Sequence, residues 1–417
     1  MRLEAEEFLE DGNLELSESN YEEALIFYQQ ALELYQQLQD IKGLILTKER
    51  MGTIYSHLGE YNKALAQHNL ALDLAEKHQL FLFKASVYAS LGDTYREKGD
   101  LEQAHSLFKQ ALKINQQFAN KISEGKNLGE LGRIYQALGS YEEAITHFKK
   151  GFVIAQEIGD KNTEGEMFGN LGNSYAILGR YEEALMVYKK ALEISQEIGI
   201  KITKGIQSGN IGAIYLRFGE YQKALQYFIT SLKISREIGD KKHWAINLGN
   251  IGLIYSHLGE DKKAIQHYNQ AIEISTQIGN KKSVGIFLGN LGDILTKGEK
   301  WKEAEEAFIQ AIELCKQSIP PAAGAFMGSL AWVYAKQNKQ KNALQALKEG
   351  ETLVSIYPLE YGKFLCKKIK IFHLNNEAQE VSETLFQVKQ IAEQIRLTED
   401  SELAKMIREI EELLSKQ

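Results

Sequence analysis

The chain has 417 residues, of which 49 are basic and 56 acidic, so its formal net charge is −7. Hydrophobic residues make up 44% and charged residues 25%, proportions that are typical of a folded globular chain and exclude a mostly disordered one. The 2 cysteines and 3 prolines exclude a disulfide framework, a cysteine-rich zinc site and a collagen-like chain. The acidic balance argues against a general nucleic-acid binder.

The N-terminal sequence Met-Arg-Leu-Glu-Ala-Glu-Glu lacks the apolar core of a signal peptide. No apolar run reaches the roughly 18 residues that a helix needs to cross a bilayer. We therefore expect a soluble, cytoplasmic protein that does not insert into a membrane.

The sequence repeats itself every forty residues. When the forty-residue copies are aligned, the equivalent positions of all copies form a column. Glycine recurs in one column, alanine in a second and tyrosine in a third: Gly12, Gly52, Gly92, Gly132, Gly172, Gly212, Gly252 and Gly292; Ala24, Ala64, Ala104, Ala144, Ala184, Ala224, Ala264 and Ala304; Tyr55, Tyr95, Tyr135, Tyr175, Tyr215 and Tyr255. A further copy, with one residue deleted, is marked by Ala331, Tyr334 and Ala343. A fixed period of this length indicates a solenoid of stacked repeats.

Each copy is predicted to form two helices, as residues 161–200 illustrate. Asp160 is a candidate N-cap of the first helix, and Gly159 before it suits a left-handed helix end. The first helix has an apolar face at Phe168, Leu171, Gly172 and Tyr175, and the second has one at Tyr181, Ala184, Leu185, Tyr188, Ala191, Leu192 and Ile194. Small residues opposite large ones favour an antiparallel hairpin.

This pattern resembles the tetratricopeptide repeat (TPR) signature, Leu-Gly-x-x-Tyr followed by Ala-x-x-x-aromatic. Leu171-Gly172, Tyr175, Ala184 and Tyr188 carry it, and the other copies repeat it. The forty-residue copies and their Ile-Gly-Asp-Lys linkers are similar to those of LGN/Pins-type TPR scaffolds. The resemblance implies an all-α fold, a right-handed superhelical solenoid of antiparallel helix hairpins whose first helices line a concave groove.

We predict nine hairpins in residues 1–357, with residues 1–40 as an N-terminal cap. Residues 358–417 are predicted to form a degenerate tenth hairpin and a C-terminal capping helix. Pro320 and Pro358 stand where new helices should begin, a position that tolerates proline.

The sequence shows no catalytic constellation, and we expect neither an enzyme nor a cofactor or metal site. The Gly-Asn-Leu-Gly segments at 169–172 and 289–292 lie within predicted helices, so they are packing positions and not phosphate loops. Cys315 and Cys366 lie in apolar helical patterns and are expected to be buried, inert thiols.

Asparagine recurs on the predicted groove face of the first helices, at Asn170, Asn210, Asn250 and Asn290, with Asn173 nearby. Asparagine is a mediocre helix former, so four of them in mid-helix positions need a reason. An amide can pair with the N–H and C=O groups of a peptide, and the TPR resemblance implies that asparagines at this place hold peptide ligands. In the alternative interpretation each amide bonds a neighbouring helix and orients the stack.

The predicted groove changes character along the chain. Its N-terminal half carries Glu49, Arg50, Asp93, Arg96, Glu97, Lys126, Glu130 and Arg133, and its C-terminal half carries Ile206, Leu216, Ile246, Leu253 and Ile286. Trp332 is predicted to face inward, unless residues 358–417 cover it. Exposed apolar groups beside polar ones indicate a site that buries ligand anchors.

These features predict a non-enzymatic protein–protein interaction scaffold that binds an extended or helical segment of a partner in its concave groove. The alternative is a peptide-responsive regulatory sensor whose superhelix changes pitch when ligand binds. We expect a monomer or weak oligomer whose partner is another protein or a peptide, not a nucleic acid.

Overall fold

The structure is a computed structural model that describes residues 1–395 and 401–415. Within that part of the chain every regular element is a helix, so the predicted all-α fold is confirmed. The predicted C-terminal segment, 358–417, includes residues 396–400 and 416–417, which lie outside the described residues. The division at residue 357 stays a prediction.

The chain forms two compact units, Met1–Gln207 and Ser208–Gln417. The first unit contains α1 (Arg2–Ser17), α2 (Tyr21–Gln37), α3 (Ile41–His57), α4 (Tyr61–Lys77), α5 (Phe81–Lys98), α6 (Leu101–Gln117), α7 (Lys121–Ala137), α8 (Tyr141–Ile158), α9 (Lys161–Ile177), α10 (Tyr181–Glu197) and the start of α11 (Lys201–Arg217). In this unit each odd-numbered helix from α1 to α9 packs closely against the even-numbered helix that follows it.

The second unit contains the rest of α11 and ten further helices. These are α12 (Tyr221–Glu237), α13 (Lys241–His257), α14 (Asp261–Gln277), α15 (Lys281–Lys297), α16 (Trp301–Cys315), α17 (Pro320–Lys336), α18 (Gln340–Val354), α19 (Pro358–Leu374), α20 (Ala378–Gln394) and α21 (Glu402–Ser415). The same pairing recurs in it, with α21 packed against α19 and α20. Pro320 and Pro358 begin helices, as predicted.

The repeated columns form the core of both units. Alanine at each of the eight positions from Ala24 to Ala304 is fully buried. The largest fully buried rings recur every forty residues, at Tyr28, Phe108, Phe148, Phe228, Tyr268 and Phe308. In the second copy the imidazole ring of His68 occupies this position and is also fully buried.

The two glycines of each Gly-Asn-Leu-Gly segment are packing positions, as predicted. A Cβ atom on Gly172 would collide with the Tyr188 ring of the same hairpin. A Cβ atom on Gly289 would collide with the Phe326 ring of the next odd-numbered helix. Glycine at the two positions therefore lets one helix approach its own partner and also the following repeat.

The helix ends follow the predicted capping chemistry. Asp160 accepts a hydrogen bond of 3.1 Å from the Thr163 backbone N–H and caps α9. Gly159 before it has φ +71°, the left-handed conformation that glycine adopts without strain. Asp100, Asn120, Asp240 and Asn280 cap α6, α7, α13 and α15 in the same way.

Candidate functional site

The candidate site is the face of the odd-numbered helices that carries the asparagine column. We call it the first-helix face, and we describe it separately for the two units. All fifteen residues predicted as groove contacts lie on odd-numbered helices, from α3 to α17.

In the first unit, five charged side chains of this face form a connected network. The Arg96 guanidinium lies 2.8 Å from Asp93 Oδ1 and 3.6 Å from Glu130 Oε2. The Arg133 guanidinium lies 3.1 Å from Glu130 Oε1 and 4.0 Å from Glu166. All five lie on the face predicted from the sequence, and the structure shows that they contact one another.

The network borders a polar cavity of about 530 Å³ between α5, α7 and α9. Its charged lining consists of Asp93, Lys126, Glu130, Arg133 and Glu166. Burial raises the pKa of Asp93 and of Glu130, against the opposing effect of the neighbouring arginines. The ionised carboxylates are therefore held in a poorly solvated place.

Glu49 and Arg50, which were also predicted for this half, do not join the network. Glu49, expected on the open face, is buried, and its Oε1 accepts hydrogen bonds from the Ser86 and Ser90 hydroxyls at 2.8 and 2.7 Å. That prediction was wrong because α5 covers this position of α3. Arg50 is exposed.

Asn170 and Asn173 differ in their environment within α9. Asn173 Oδ1 accepts a hydrogen bond of 2.7 Å from the Tyr188 hydroxyl, so this amide supports the hairpin. Asn170 is half-buried, and its backbone carbonyl accepts a hydrogen bond of 3.0 Å from Gln136 Nε2. Its side-chain amide has no hydrogen bond among the described residues.

In the second unit, Asn210, Asn250 and Asn290 occupy equivalent, half-buried positions on α11, α13 and α15. The side-chain amides of Asn210 and Asn250 make no hydrogen bond within the described part of the chain. Asn290 differs, because its amide lies close enough to the Tyr268 hydroxyl to oppose the rise in the pKa of Tyr268 that burial causes.

The apolar residues predicted beside this column are all half-buried. Leu253 and Ile286 pack against a core cluster that includes Ala245, Tyr268 and Phe287, so part of their surface is already occupied. Leu216 and Ile246 flank the column in the second unit, and Ile206 lies on α11 within the first.

Trp332 is half-buried, and the Lys336 ammonium lies 4.8 Å from the centre of its ring. The ring packs against a cluster that contains Phe364 of α19 and Leu403 and Ile410 of α21. The structure therefore favours the alternative in which the C-terminal segment covers part of this ring.

Two buried asparagine side chains that line the cavity were not predicted from the sequence. Asn115 is 2% exposed and Asn127 is 4% exposed, and both line the cavity. A comparison of the copies would have found Asn115, because the same column holds Ala75 and Ala155.

The described residues contain no candidate metal centre, and both cysteine thiols are buried. No group of three or more His, Cys, Asp or Glu side chains in them is arranged to hold a metal ion. Burial raises the pKa of the Cys366 thiol to about 12, and Cys315 is buried too, so both stay protonated at neutral pH. Among the described helices none has the length and apolar character needed to cross a bilayer.

Comparisons with known proteins agree with this architecture. Family models described as tetratricopeptide repeat match residues 12–77, 44–117, 125–197, 206–277 and 288–318. A comparison with curated proteins finds no match.

Several solved structures are similar in fold. A STAND-type signal transduction ATPase with a tetratricopeptide repeat sensor, from Pyrococcus horikoshii, is 18% identical at a TM-score of 0.61; the match covers 81% of this chain but only 54% of that one. The quorum sensor NprR from B. thuringiensis, in its apo form, is 15% identical at a TM-score of 0.60, over 84% of this chain and 98% of that one. A Rap protein complexed with competence and sporulation factor is 14% identical at a TM-score of 0.55, over 86% and 100%. Identities this low establish the fold alone.

Proposed function

Because the chain belongs to the tetratricopeptide repeat family, we propose that it is a non-enzymatic scaffold that binds an extended or helical segment of another protein along its first-helix face. In an array of this family the first helices line a concave groove, which is the natural binding surface. The forty-residue copies and their linkers further suggest a scaffold of the LGN/Pins type.

One contrast among asparagines carries the proposal. Asn13, Asn173 and Asn247 have structural partners: the hydroxyls of Tyr28, Tyr188 and Ser231 bond to their side chains at 2.9, 2.7 and 2.9 Å. Asn210 and Asn250 recur at one helical position, and their side-chain amides make no hydrogen bond within the described residues. A half-buried amide without a partner costs free energy unless water or a ligand satisfies it.

The neighbouring side chains suit such a ligand. Each amide presents two donors and one acceptor, which matches the C=O and N–H groups of a peptide backbone. Leu216 and Ile246 beside the column offer apolar contact for alternate side chains of the bound segment. The net charge of −7 makes a protein a better partner for this face than a nucleic acid.

A second candidate function is a peptide-responsive sensor whose superhelix changes pitch on binding. The similarity in fold to chains that are named sensors favours it. Small-angle scattering separates the two candidates, because a rigid scaffold keeps its radius of gyration when ligand is added, whereas a pitch change alters it.

The proposal is tested by comparing two triple variants as baits in a lysate from the host. One replaces Asn210, Asn250 and Asn290 by alanine, and the matched control replaces the exposed asparagines Asn62, Asn69 and Asn269 of even-numbered helices. A partner segment captured by the parent is then synthesised and its Kd measured for all three proteins.

The proposed function requires that the column variant bind the segment at least about tenfold more weakly, since three amide contacts are lost, while the control binds like the parent. Equal affinity of the two triple variants would place the binding surface elsewhere and overturn the proposal.

A further inference from the structure

The polar cavity of the first unit has a lining that hairpin packing does not require. In the column of Glu130 the next copy has Asn170, and in the column of Arg133 it has Asn173. The column of Asn115 holds alanine in the neighbouring copies, and the column of Asn127 holds Val87 and Met167. Those copies form the same hairpins without these side chains. The cavity residues therefore differ from their equivalents in neighbouring copies, and the fold brings them together.

The charged groups of the cavity are unevenly paired. Three carboxylates line it, Asp93, Glu130 and Glu166, against two cations, Lys126 and Arg133. Lys126 acts on Asp160 at the start of α9, whose pKa it helps to lower. Arg133 is 3.1 Å from Glu130 but 4.0 Å from Glu166, so Glu166 has the weaker contact.

Arg96, beside the cavity, brings the count to three cations for three carboxylates, but it leaves one oxygen of Glu130 without a hydrogen bond. It donates a 2.8 Å hydrogen bond to Asp93, but its Nε lies 3.6 Å from Glu130 Oε2, and both of those buried atoms lack a hydrogen-bond partner in the described residues. Burial raises the pKa of Asp93 and of Glu130, so these carboxylates lie in a poorly solvated place.

Two amides give an independent indication of a ligand. Asn115 and Asn127 line the cavity and are at least nine-tenths buried, yet Asn115 Oδ1 and Asn127 Nδ2 have no hydrogen-bond partner in the described residues. Buried amide atoms of this kind are ordinarily satisfied. Asn115 Oδ1 is an acceptor and indicates a donor group in the cavity, whereas Asn127 Nδ2 is a donor that needs an acceptor such as water or a ligand carbonyl.

We propose that this cavity binds a guanidinium or ammonium group, carried either by an arginine or lysine side chain of a bound peptide or by a free small cation. Glu130 and Glu166 pair with the cationic head, and Asn115 Oδ1 accepts one of its hydrogen bonds. The peptide source rests on the proposed function, whereas the free-cation source does not.

Calorimetric titration of the full chain tests the proposal with three probes. Two are the pentapeptides acetyl-Gly-Gly-Arg-Gly-Gly-amide and its citrulline counterpart, which differ only in the charge and one nitrogen of the side-chain head. The third is agmatine, a free guanidinium compound. The arginine peptide, agmatine or both should bind, and the citrulline peptide should bind at least about tenfold more weakly.

Three variants identify the site. Glu130→Asn and Asn115→Ala install residues that neighbouring copies carry at these columns, so both should fold, which thermal melting checks. Each should weaken binding of the cationic probe, Glu130→Asn by at least about tenfold. The matched control is Asp293→Asn, in the column of Asp93 but in the second unit, where Ser329 bonds the carboxylate at 2.9 Å; it should bind like the parent.

Each outcome either distinguishes a peptide side chain from a free cation as the ligand or excludes the cavity as a cation-binding site. Binding of agmatine alone supports a free cation, and binding of the arginine peptide alone supports a peptide side chain. Equal binding of the arginine and citrulline peptides, no binding of any probe at millimolar concentration, or binding that survives Glu130→Asn overturns the cavity proposal. If both peptides bind equally and the column variant loses both, the proposed function stands while this inference fails.

Discussion

The Tyr188 hydroxyl donates a hydrogen bond of 2.7 Å to Asn173 Oδ1, and this bond joins the two helices of one hairpin, α10 and α9. Tyr28 and Asn13 make the same bond at 2.9 Å in the first hairpin. The side chain of Asn173 is thus engaged in packing, although it lies only three residues from Asn170, whose amide is not.

Loss of this bond should reduce stability and leave ligand binding unchanged. Tyr188→Phe keeps the ring, which phenylalanine already provides at Phe148 and Phe228, and removes only the hydroxyl. We expect the free energy of unfolding to fall by about 1 kcal/mol in urea denaturation. In a double-mutant cycle Asn173→Ala should add little to Tyr188→Phe, and full additivity of the two losses would show that the bond contributes nothing.

The asparagine column should behave in the opposite way. Asn210, Asn250 and Asn290 lie within helices, and alanine has the higher helix propensity by up to about 0.7 kcal/mol per residue. Because Asn210 and Asn250 have no hydrogen bond to lose among the described residues, the Asn210→Ala/Asn250→Ala double variant should melt at the parent's temperature or above it. Asn290 is left unchanged in this test because its amide lies beside the Tyr268 hydroxyl. A clearly lower melting temperature by circular dichroism would support the alternative in which these amides orient the stack.

The buried ring of His68 should make the first unit sensitive to acid. Burial lowers the pKa of His68 to about 4, below the roughly 6.5 of an unfolded histidine, and neither ring nitrogen has a hydrogen-bond partner in the described residues. Between about pH 4 and about pH 6.5, this histidine binds a proton in the unfolded chain but not in the folded chain. The stability contributed by the neutral ring is therefore complete above about pH 6.5 and is lost as the pH falls toward 4.

His68→Phe tests this directly, because Phe108 fills the same column in the next copy. The variant should be more stable than the parent, and its advantage should grow by up to about 3 kcal/mol between pH 7 and pH 4. Chemical denaturation at a series of pH values measures the difference, and a difference independent of pH contradicts the account.

Gly249, the first glycine of the related Gly-Asn-Ile-Gly segment at 249–252, should not accept a side chain without loss of stability. Gly249→Ala places a Cβ against the buried Phe287 ring, and overpacking of this kind costs roughly 1–3 kcal/mol. The matched control is Gly298→Ala at the end of α15, where a Cβ meets only ordinary contacts at 3.6 Å and 3.7 Å. Similar melting temperatures for the two variants would refute the packing role of Gly249.

The fold follows from sequence because its determinants are local and recur in every copy. The alanine and aromatic columns, the Asp160 cap and the helix starts at Pro320 and Pro358 all depend on spacing within one hairpin. The TPR resemblance extends that periodicity to the packing of successive hairpins.

The candidate site was predicted less completely, because helical arithmetic assigns a residue to a face but does not say what the next repeat places over it. Glu49 is covered by Ser86 and Ser90, Leu253 packs against the core, and Trp332 packs against a cluster to which α19 and α21 contribute. The cavity depends on Asn115 of an even-numbered helix, which an analysis confined to first helices does not consider.

The most direct test of the central claim is nuclear magnetic resonance of the asparagine side-chain amides while a captured partner segment is titrated into labelled protein. We expect the side-chain N–H₂ signals of Asn210 and Asn250 to shift on binding, because these amides bond the ligand backbone, while those of Asn62 and Asn269 stay in place. Saturating ligand that leaves the Asn210 and Asn250 signals unmoved would contradict it.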